Sequence, residues 1–440
     1  MLKVLLFILC CFVNIAEAKF FGAEEFYLDN GLRVVVVPNH KAPVIKQMIW
    51  YKVGSVDEPL GKGGIAHLLE HLMFRGTKKV KDSSFNNIIE AHGGQSNAFT
   101  SHDFTVYYEF LDISRLEVAL ALEADRMQNL YISDEAFETE RKIVFQERKE
   151  RISNSPFARF GEVVAKTLWQ NNPYARPITG TEDEINSLTK QDAIDFYNMY
   201  YSPDNAVLVL AGDIDVDTAK KLAEKYFADI KAKNVNRKPV DFDIMQNTSF
   251  EVKQQNAEIK QARLSKKYVV PHFAQNIKKA FALMLFSSYF GETSNSYLKR
   301  NYVLTNKVLS ASSYYQPYAR GQGSFSISVV PNNEDFDFDK FANKALTDAL
   351  LLFTQEKLED EKKKILASFV YMLDNPEDAA SIVGSFSALG FDVQQIENYA
   401  QYIKDVKLED VKKVVSYLQN DATNVKASLL PLPHKGENDD

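Results

Sequence analysis

The segment 64–74, Gly-Ile-Ala-His-Leu-Leu-Glu-His-Leu-Met-Phe, constrains the fold of this 440-residue chain more than any other. A glycine pair at its start and Gly76 after it predict a single helix that ends near residue 75. On a helix, His67 and His71 lie one turn apart on the same face, and Glu70 shares that face. The remaining positions are apolar on nearly all other sides. The helix is therefore expected to be buried, with His-Glu-His as its only polar stripe.

Burying this stripe without partners would cost several kcal/mol. A metal ion held by two neutral imidazoles would satisfy it and leave Glu70 free to act on a metal-bound water. Three protein ligands and a water are typical of a catalytic zinc site, so a third ligand is expected. The alternative is a pair of core histidines bonded to backbone, but the His-x-x-Glu-His pattern on an apolar helix favours the metal.

A second helix, predicted over 134–152, offers the third ligand. Glu140 and Glu147 are seven residues apart on one stripe, with Ile143 and Val144 between them. Acids that flank apolar residues on one face indicate that this face looks inward. A solvated, salt-bridged helix remains the alternative, and it is stronger for Glu140 than for Glu147.

The N-terminal residues are typical of a signal peptide. Lys3 precedes an apolar run over 4–13, and Ala16-Glu17-Ala18 supplies small residues at the spacing that signal peptidase reads. We expect cleavage after Ala18 and export, to the periplasm or out of the cell. An uncleaved membrane anchor is the alternative, whereas a transit peptide is disfavoured because the leader lacks arginine. No later segment is apolar enough to cross a bilayer, so no transmembrane segment is expected in the mature chain.

Both cysteines of the chain lie inside this leader. The mature chain would have none, so any tightly held metal must be bound by His, Asp and Glu. The net charge of −7 is spread along the chain without a basic face, which argues against nucleic-acid binding.

The length predicts two domains. The order of strand and helix patterns in the first half recurs after a polar segment that has no periodicity, which indicates a pseudo-repeat of architecture. The expected organisation is a signal peptide (1–18), an N-terminal zinc-binding domain (19–231), a linker (232–247), a C-terminal pseudo-repeat domain (248–430) and a mobile tail (431–440).

The inverted His-x-x-Glu-His pattern, followed by Glu147 on a later helix, resembles the pitrilysin/insulinase family of zinc peptidases, M16. The resemblance is to its bacterial branch, similar to mitochondrial processing peptidase, and it covers residues 25–230 well but the second half only in outline. Three further segments are similar to that family: Gly93 to Thr100 with Asp103 and 105–108, Asn172-Pro-Tyr174 with Gly180, and the run 200–206.

The resemblance implies an α+β fold in which two similar αβ domains, each a sheet with helices on one face, form a clamshell. It implies that His67, His71 and Glu147 bind one Zn²⁺, with Glu70 as the catalytic base and Glu140 as a supporting acid. Substrate, a peptide or unfolded polypeptide segment, would add as a strand to a sheet edge. The matching substrate-binding residues are Asn97, Ala98, Phe99 and Thr100.

The second half departs from the family pattern. Active members carry an Arg and, seven residues later, a Tyr that stabilise the developing oxyanion. The corresponding stretch here, 296–310, places Val303 and Ser310 at those positions, with Tyr314 or Tyr315 as local substitutes. The resemblance therefore implies a heterodimer in which a homologous chain supplies Arg and Tyr, or otherwise a homodimer. A catalytically silent scaffold or binding subunit of the same fold is the alternative function.

Overall fold

The computed structural model describes residues 20–80, 84–237, 240 and 247–432. The predicted signal peptide and residues 433–440 of the predicted tail lie outside the described residues. Among the residues that are described, no helix has both the length and the apolar character needed to cross a membrane.

The strands of the described residues form two sheets. They are β1 (Glu24–Tyr27), β2 (Arg33–Pro38), β3 (Val44–Tyr51), β4 (Gln95–Thr100), β5 (Thr105–Asp112), β6 (Ala206–Gly212), β7 (Ser249–Asn256), β8 (Arg263–Val270), β9 (Val308–Gln316), β10 (Gly323–Pro331) and β11 (Asn424–Pro431).

The helices surround these sheets. They are α1 (Ile65–Leu72), α2 (Ser84–Ala91), α3 (Leu116–Asn129), α4 (Asp134–Arg148), α5 (Pro156–Trp169), α6 (Glu182–Ser187), α7 (Lys190–Tyr200), α8 (Val216–Phe227), α9 (Ile277–Ser287), α10 (Phe338–Leu352), α11 (Gln355–Leu373), α12 (Pro376–Ala388), α13 (Val393–Glu397), α14 (Tyr399–Asp405) and α15 (Leu408–Asn420).

The two sheets share one topology. The first has the order β1-β2-β6-β3-β5-β4 and the second β7-β11-β8-β10-β9. Each sheet has one parallel pair, β2 with β6 in the first sheet and β7 with β11 in the second. The strands that follow this pair in the sheet order are all antiparallel to their neighbours. The second sheet thus repeats the first without β1. This confirms the predicted α+β fold of two similar αβ units.

Alternate residues of each strand face different layers, as the period of a strand requires. In β2, Val34 and Val36 pack with α1, α3, α7 and α8, whereas Val35 and Val37 face the second half of the chain. All four valines are buried. The strand is therefore apolar on both faces and needs a covering layer on each side.

A helix of the other half covers the second face of each sheet. Helix α12 packs on β2, β3 and β6, and helix α5 packs on β7 and β11. Phe160, Val164 and Leu168 of α5 join Val425 and Leu429 of β11 in one apolar cluster. Each half has its own helices on one face of its sheet, as predicted, and the other face is covered because the two halves exchange a helix.

A buried polar cluster joins the two halves beside these helices. The Asp57 carboxylate binds the guanidinium groups of Arg237 and Arg320, at 3.0 and 2.8 Å. The Tyr174 hydroxyl donates to Asp103 at 2.6 Å, and the same carboxylate accepts from the backbone N–H of Arg320 at 3.0 Å. Charges buried in this way are tolerated because each has a partner.

The ends of the predicted segments differ in detail. Part of the predicted linker, which includes Arg237, is held against the first half by the bond to Asp57. Pro431, the first residue of the predicted tail, pairs with Asn256 at the end of β11. The patterns of α5 and β7 were not recognised as elements in the sequence.

The contact between α12 and the first sheet depends on Gly384. A Cβ atom added there would lie 2.2 Å from the indole ring of buried Trp50. Gly384→Ala should lower the free energy of unfolding by about 1–3 kcal/mol through overpacking. Gly161→Ala in α5 is the matched control: its Cβ would meet open space, so stability should rise by up to about 1 kcal/mol. Urea unfolding measures both, and shifts of the same sign would contradict the packing argument.

His102 at this junction gives a pH prediction. Its Nδ1 lies 2.8 Å from the Ser55 hydroxyl, and burial, opposed by the Asp103 charge, lowers its pKa to about 4. An unfolded histidine titrates near pH 6.5, so the unfolded chain binds more protons between these values. The contribution of His102 to the free energy of unfolding is fully present above about pH 6.5. About 3 kcal/mol should be lost as the pH falls towards 4.

The measurement is urea unfolding of the wild type and of His102→Gln between pH 4.5 and 7.5. The variant should lose less stability on acidification. Parallel curves for the wild type and His102→Gln would contradict the assignment.

Candidate metal centre

Helix α1 is fixed at its N-terminus by a buried carboxylate. Glu58 accepts hydrogen bonds from the backbone N–H groups of Gly64, at 3.1 Å, and Ala66, at 2.9 Å. Gly64 has φ +85°, and a Cβ there would lie 2.5 Å from the carbonyl oxygen of Thr179. An acidic group is favourable at this end of a helix because the first N–H groups lack partners. Glu58 thus sets the position of the helix that carries both histidines.

The two histidines of α1 and a glutamate of α4 converge. The Oε2 atom of Glu147 lies 3.8 Å from Nε2 of His67 and 3.5 Å from Nε2 of His71. One nitrogen or oxygen atom of each residue lies within 4.8 Å of the others. His67 is buried, and the other two side chains are half-buried. Two residues one turn apart on one helix and a third on its neighbour therefore form a single cluster.

Glu140, which lies two helical turns before Glu147 on α4, orients His71. Its Oε2 lies 2.9 Å from Nδ1 of His71, and its other oxygen pairs with Arg75. Burial alone would raise the pKa of Glu140, but the hydrogen bonds to His71 and Arg75 outweigh it and hold that pKa below its ordinary value. A carboxylate on Nδ1 fixes the ring and leaves Nε2 available as a ligand atom.

The donor set fits a zinc ion. Burial, with the nearby charges of His71 and Arg151, lowers the pKa of His67 to about 3, so this imidazole is neutral near pH 7. Two imidazole nitrogens and one carboxylate oxygen are a ligand set found in catalytic zinc sites, which keep a fourth position open. No cysteine belongs to this ligand set. His67, His71 and Glu147 could therefore hold Zn²⁺.

Glu70 lies beside this cluster without belonging to it. Its Oε2 accepts a hydrogen bond from the hydroxyl of Thr100 in β4. Burial and the negative charge of Glu147 raise the pKa of Glu70, against the opposing hydrogen bond from Thr100 and the charge of His71. A carboxylate with a raised pKa next to a group of candidate metal ligands is suited to accept and release a proton.

Strand β4 is an edge strand and forms one wall of a cleft over the cluster. It pairs with β5 on one side only. The cleft has a volume of about 1030 Å³, and α4, α5 and the segment 174–179 line its other walls. All of the described residues that line the cleft lie between His67 and Thr179 in the sequence. The described residues of the second half contact α5, which lines the cleft, but none of them lines the cleft itself.

The predicted site residues lie close together. The cleft is lined by His67, Glu70, His71, Asn97, Ala98, Phe99, Thr100 and Glu147. Glu140 lines an adjoining cavity of about 420 Å³ together with Glu70 and His71.

The positions discussed in the second half lie elsewhere. Val303 packs against the core of the second half, and Ser310 lies exposed on β9. Tyr314 is exposed, whereas Tyr315 is buried with its hydroxyl bonded to the carbonyl of Pro271. None of these residues is among those that line the described cleft.

The sequence reading missed Glu58, Arg75 and Arg151. Arg151 pairs with Glu147 from the π-helical turn Lys149–Ser153 that follows α4. The spacing of four residues between Glu147 and Arg151 is a signal that could have indicated this pair. An acid six residues before Gly64 was a weaker signal for Glu58, since the loop between them determines the contact.

The described geometry agrees with comparisons to known proteins. Two family models match the chain, the insulinase (peptidase family M16) model over residues 33–182 and the peptidase M16 inactive domain model over residues 187–365. "Zinc protease PqqE" of Helicobacter pylori is 30% identical over 419 residues, which cover 93% of both chains. The mitochondrial-processing peptidase subunit beta of Lentinula edodes is 26% identical, over 88% of this chain and 85% of that protein.

Solved structures have the same fold. A protease from Helicobacter pylori superposes with a TM-score of 0.83 at 28% identity, covering 93% of this chain and 99% of that one. The first half of the periplasmic protease PqqL from Escherichia coli gives a TM-score of 0.75 at 19% identity, over 94% and 92% of the two chains. The full-length relative and the two matching family models lead to one conclusion: the chain belongs to the insulinase family of peptidases, family M16.

Proposed function

We propose that the chain is a zinc metalloendopeptidase in which His67, His71 and Glu147 hold one Zn²⁺ and Glu70 is the catalytic base. The observation that carries the proposal is the convergence of three ligand atoms within 4.8 Å, beside a carboxylate that is not among them. Relatives named as zinc proteases support the choice of metal. Glu140 supports the site by holding the ring of His71.

The residues of the chain divide the reaction between them. Bound zinc supplies Lewis acidity, which polarises the scissile carbonyl and makes the attacking water more acidic. Glu70 accepts a proton from that water as the new C–O bond forms, and it delivers the proton to the leaving nitrogen as the C–N bond breaks. Glu140 keeps Nδ1 of His71 occupied throughout. Burial of Glu70 raises its pKa, which suits both halves of this proton transfer.

The substrate we propose is an extended peptide or an unfolded polypeptide segment. Strand β4 has an unpaired edge in the cleft, and residues Asn97 to Thr100 of this strand lie beside Glu70. A peptide that pairs with this edge gains main-chain hydrogen bonds whatever its sequence. The cleft would therefore select backbone conformation as well as side chains.

We further propose that a homologous chain completes the active centre. Oxyanion stabilisation needs donors that are in place before charge develops, and the second half of this chain contributes no residue to the described cleft lining. A partner that carries Arg and Tyr would supply these donors in a heterodimer; a second copy of the chain is the other possibility. The name of the Lentinula relative, a subunit beta, supports an assembly of this kind.

The cellular place and the domain organisation are part of the same proposal. The leader 1–18 would direct export to the periplasm or out of the cell. The mature chain would comprise a zinc-binding domain (19–231) and a pseudo-repeat domain (248–430), joined by 232–247. The two sheets lie on either side of this linker, which supports the division.

Glu70→Gln tests the mechanism. The amide cannot accept the proton, so cleavage of an internally quenched peptide should fall at least about a hundredfold. Zinc content should stay near one per chain, because Glu70 is outside the ligand cluster. Glu150→Gln is the matched control: Glu150 lines the same cleft but is bonded to Gln146, and activity should remain within about threefold. Hydrolysis retained in Glu70→Gln would contradict the proposed mechanism.

The partner proposal has its own test. The purified chain alone should hydrolyse peptides weakly, and addition of a homologous chain that carries the Arg and Tyr should raise turnover sharply, since these groups act on the transition state. Native mass spectrometry of the complex from its own source reports zinc and partner together. Full activity of the isolated chain, with no second subunit in the native spectrum, would remove the heterodimer. If zinc is bound but neither form cleaves peptides, the silent-subunit function gains support.

A further inference from the structure

We propose that Thr100 is a positioning residue for the base: its hydroxyl holds the Glu70 carboxylate in place on the strand that receives the substrate. This inference rests on the proposed peptidase function. It assigns the Thr100 side chain to the enzyme's own base, whereas the backbone of the same residue belongs to the proposed substrate-binding edge.

The first support is the hydrogen bond itself. The Oγ1 atom of Thr100 donates to Oε2 of Glu70, across two elements 30 residues apart in sequence. Among the described residues, Thr100 is the one whose side chain donates a hydrogen bond to the carboxylate of Glu70. It occupies one oxygen and leaves Oε1 for the water that is to be deprotonated. Because the last torsion of a glutamate is broad, the carboxylate would otherwise be poorly fixed.

The second support is that Thr100 is held rigidly. The residues after it are clamped to the loop that precedes α1: the carbonyl of Ser101 accepts from the N–H of Ser55, and that of His102 accepts from the N–H of Val56, both at 3.1 Å. A Cβ atom at Gly54 would lie 2.4 Å from the carbonyl oxygen of Ser101, so only glycine permits this approach. The end of β4 therefore cannot shift freely.

The base is held on its other side as well. Glu70 belongs to α1, whose first turn is bonded to Glu58. The hydroxyl of Thr100 thus connects two fixed elements, and β-branching restricts its own χ1 torsion. A fixed donor and a fixed helix give the carboxylate one orientation relative to the candidate metal ligands. Small displacements of a reacting group are costly in rate, and for this reason a remote hydroxyl can matter.

The arrangement also links the base to the substrate. A peptide paired with β4 takes its register from the backbone that ends at Thr100. Because the side chain of the same residue holds Glu70, the scissile bond and the base share one reference point. Ser96, Ala98 and Thr100 alternate onto the same face of this strand, and of these only Thr100 reaches the base.

The experiment compares Thr100→Val, Thr100→Ser and Ser96→Ala in the zinc-loaded protein, on an internally quenched peptide. Valine keeps the shape and removes the donor, so kcat should fall about tenfold to a hundredfold, the loss expected for a hydrogen bond to a charged group. KM should change less than about threefold, because the backbone edge is intact. Serine keeps the donor and should recover most of kcat.

Ser96→Ala is the matched control, since it removes a hydroxyl from the same strand and face, where the partner is Asn86 at 2.8 Å. Its kcat should equal that of the wild type. Crystal structures of the zinc-loaded wild type and Thr100→Val form the second measurement. One orientation of the Glu70 carboxylate in the wild type and a displaced or divided one in the variant would support the inference.

These readings separate the inference from the proposed function. An unchanged Glu70 carboxylate in Thr100→Val overturns the positioning role, whether or not the protein cleaves peptides. Equal kcat values for Thr100→Val and an active wild type overturn it too, and leave the peptidase function standing. Loss of zinc or of folding in Thr100→Val but not in Thr100→Ser would show a structural role for the hydroxyl and would also overturn it.

Discussion

The burial of a His-Glu-His stripe on the apolar helix α1 is the constraint on which the rest of the structure depends. Each polar group of the stripe needs a partner, and the partners come from different parts of the chain: Glu140 and Glu147 from α4 and Thr100 from β4. Their placement fixes how α1, α4 and β4 lie relative to one another. The geometry that brings these partners to the stripe is thus the same geometry that can hold a metal and a base.

The second half supports this site, although none of its described residues lines the cleft. The first sheet is apolar on both faces, and α12 of the second half covers one of them. In exchange, α5 covers the second sheet and also forms a wall of the cleft. Removing either half would expose a full sheet face of the other. Each half therefore needs the other for its fold, because each covers a sheet face of the other.

Much of the fold and of the site could be predicted from the sequence because the decisive signals are local. The His-x-x-Glu-His spacing, the period of α4 and the alternation in β5 each depend on residues a few positions apart. Helix α5 was missed although Phe160, Val164 and Leu168 recur every four residues, because the surface that they cover lies in β7 and β11, far along the chain. Glu58 was missed for a related reason, since its partners are backbone N–H groups whose position depends on a loop.

An open sheet edge is normally a hazard, because its free N–H and C=O groups can pair with another chain and lead to aggregation. Strand β4 retains such an edge, and its composition reduces the risk: it is six residues long and mostly polar or small. Its position reduces the risk further, because α4 and α5 form other walls of the cleft that residues of β4 line. The features that protect the edge from folded neighbours are those that would admit an unfolded peptide. Exposure of β4 is therefore better explained by substrate binding than by an incomplete sheet.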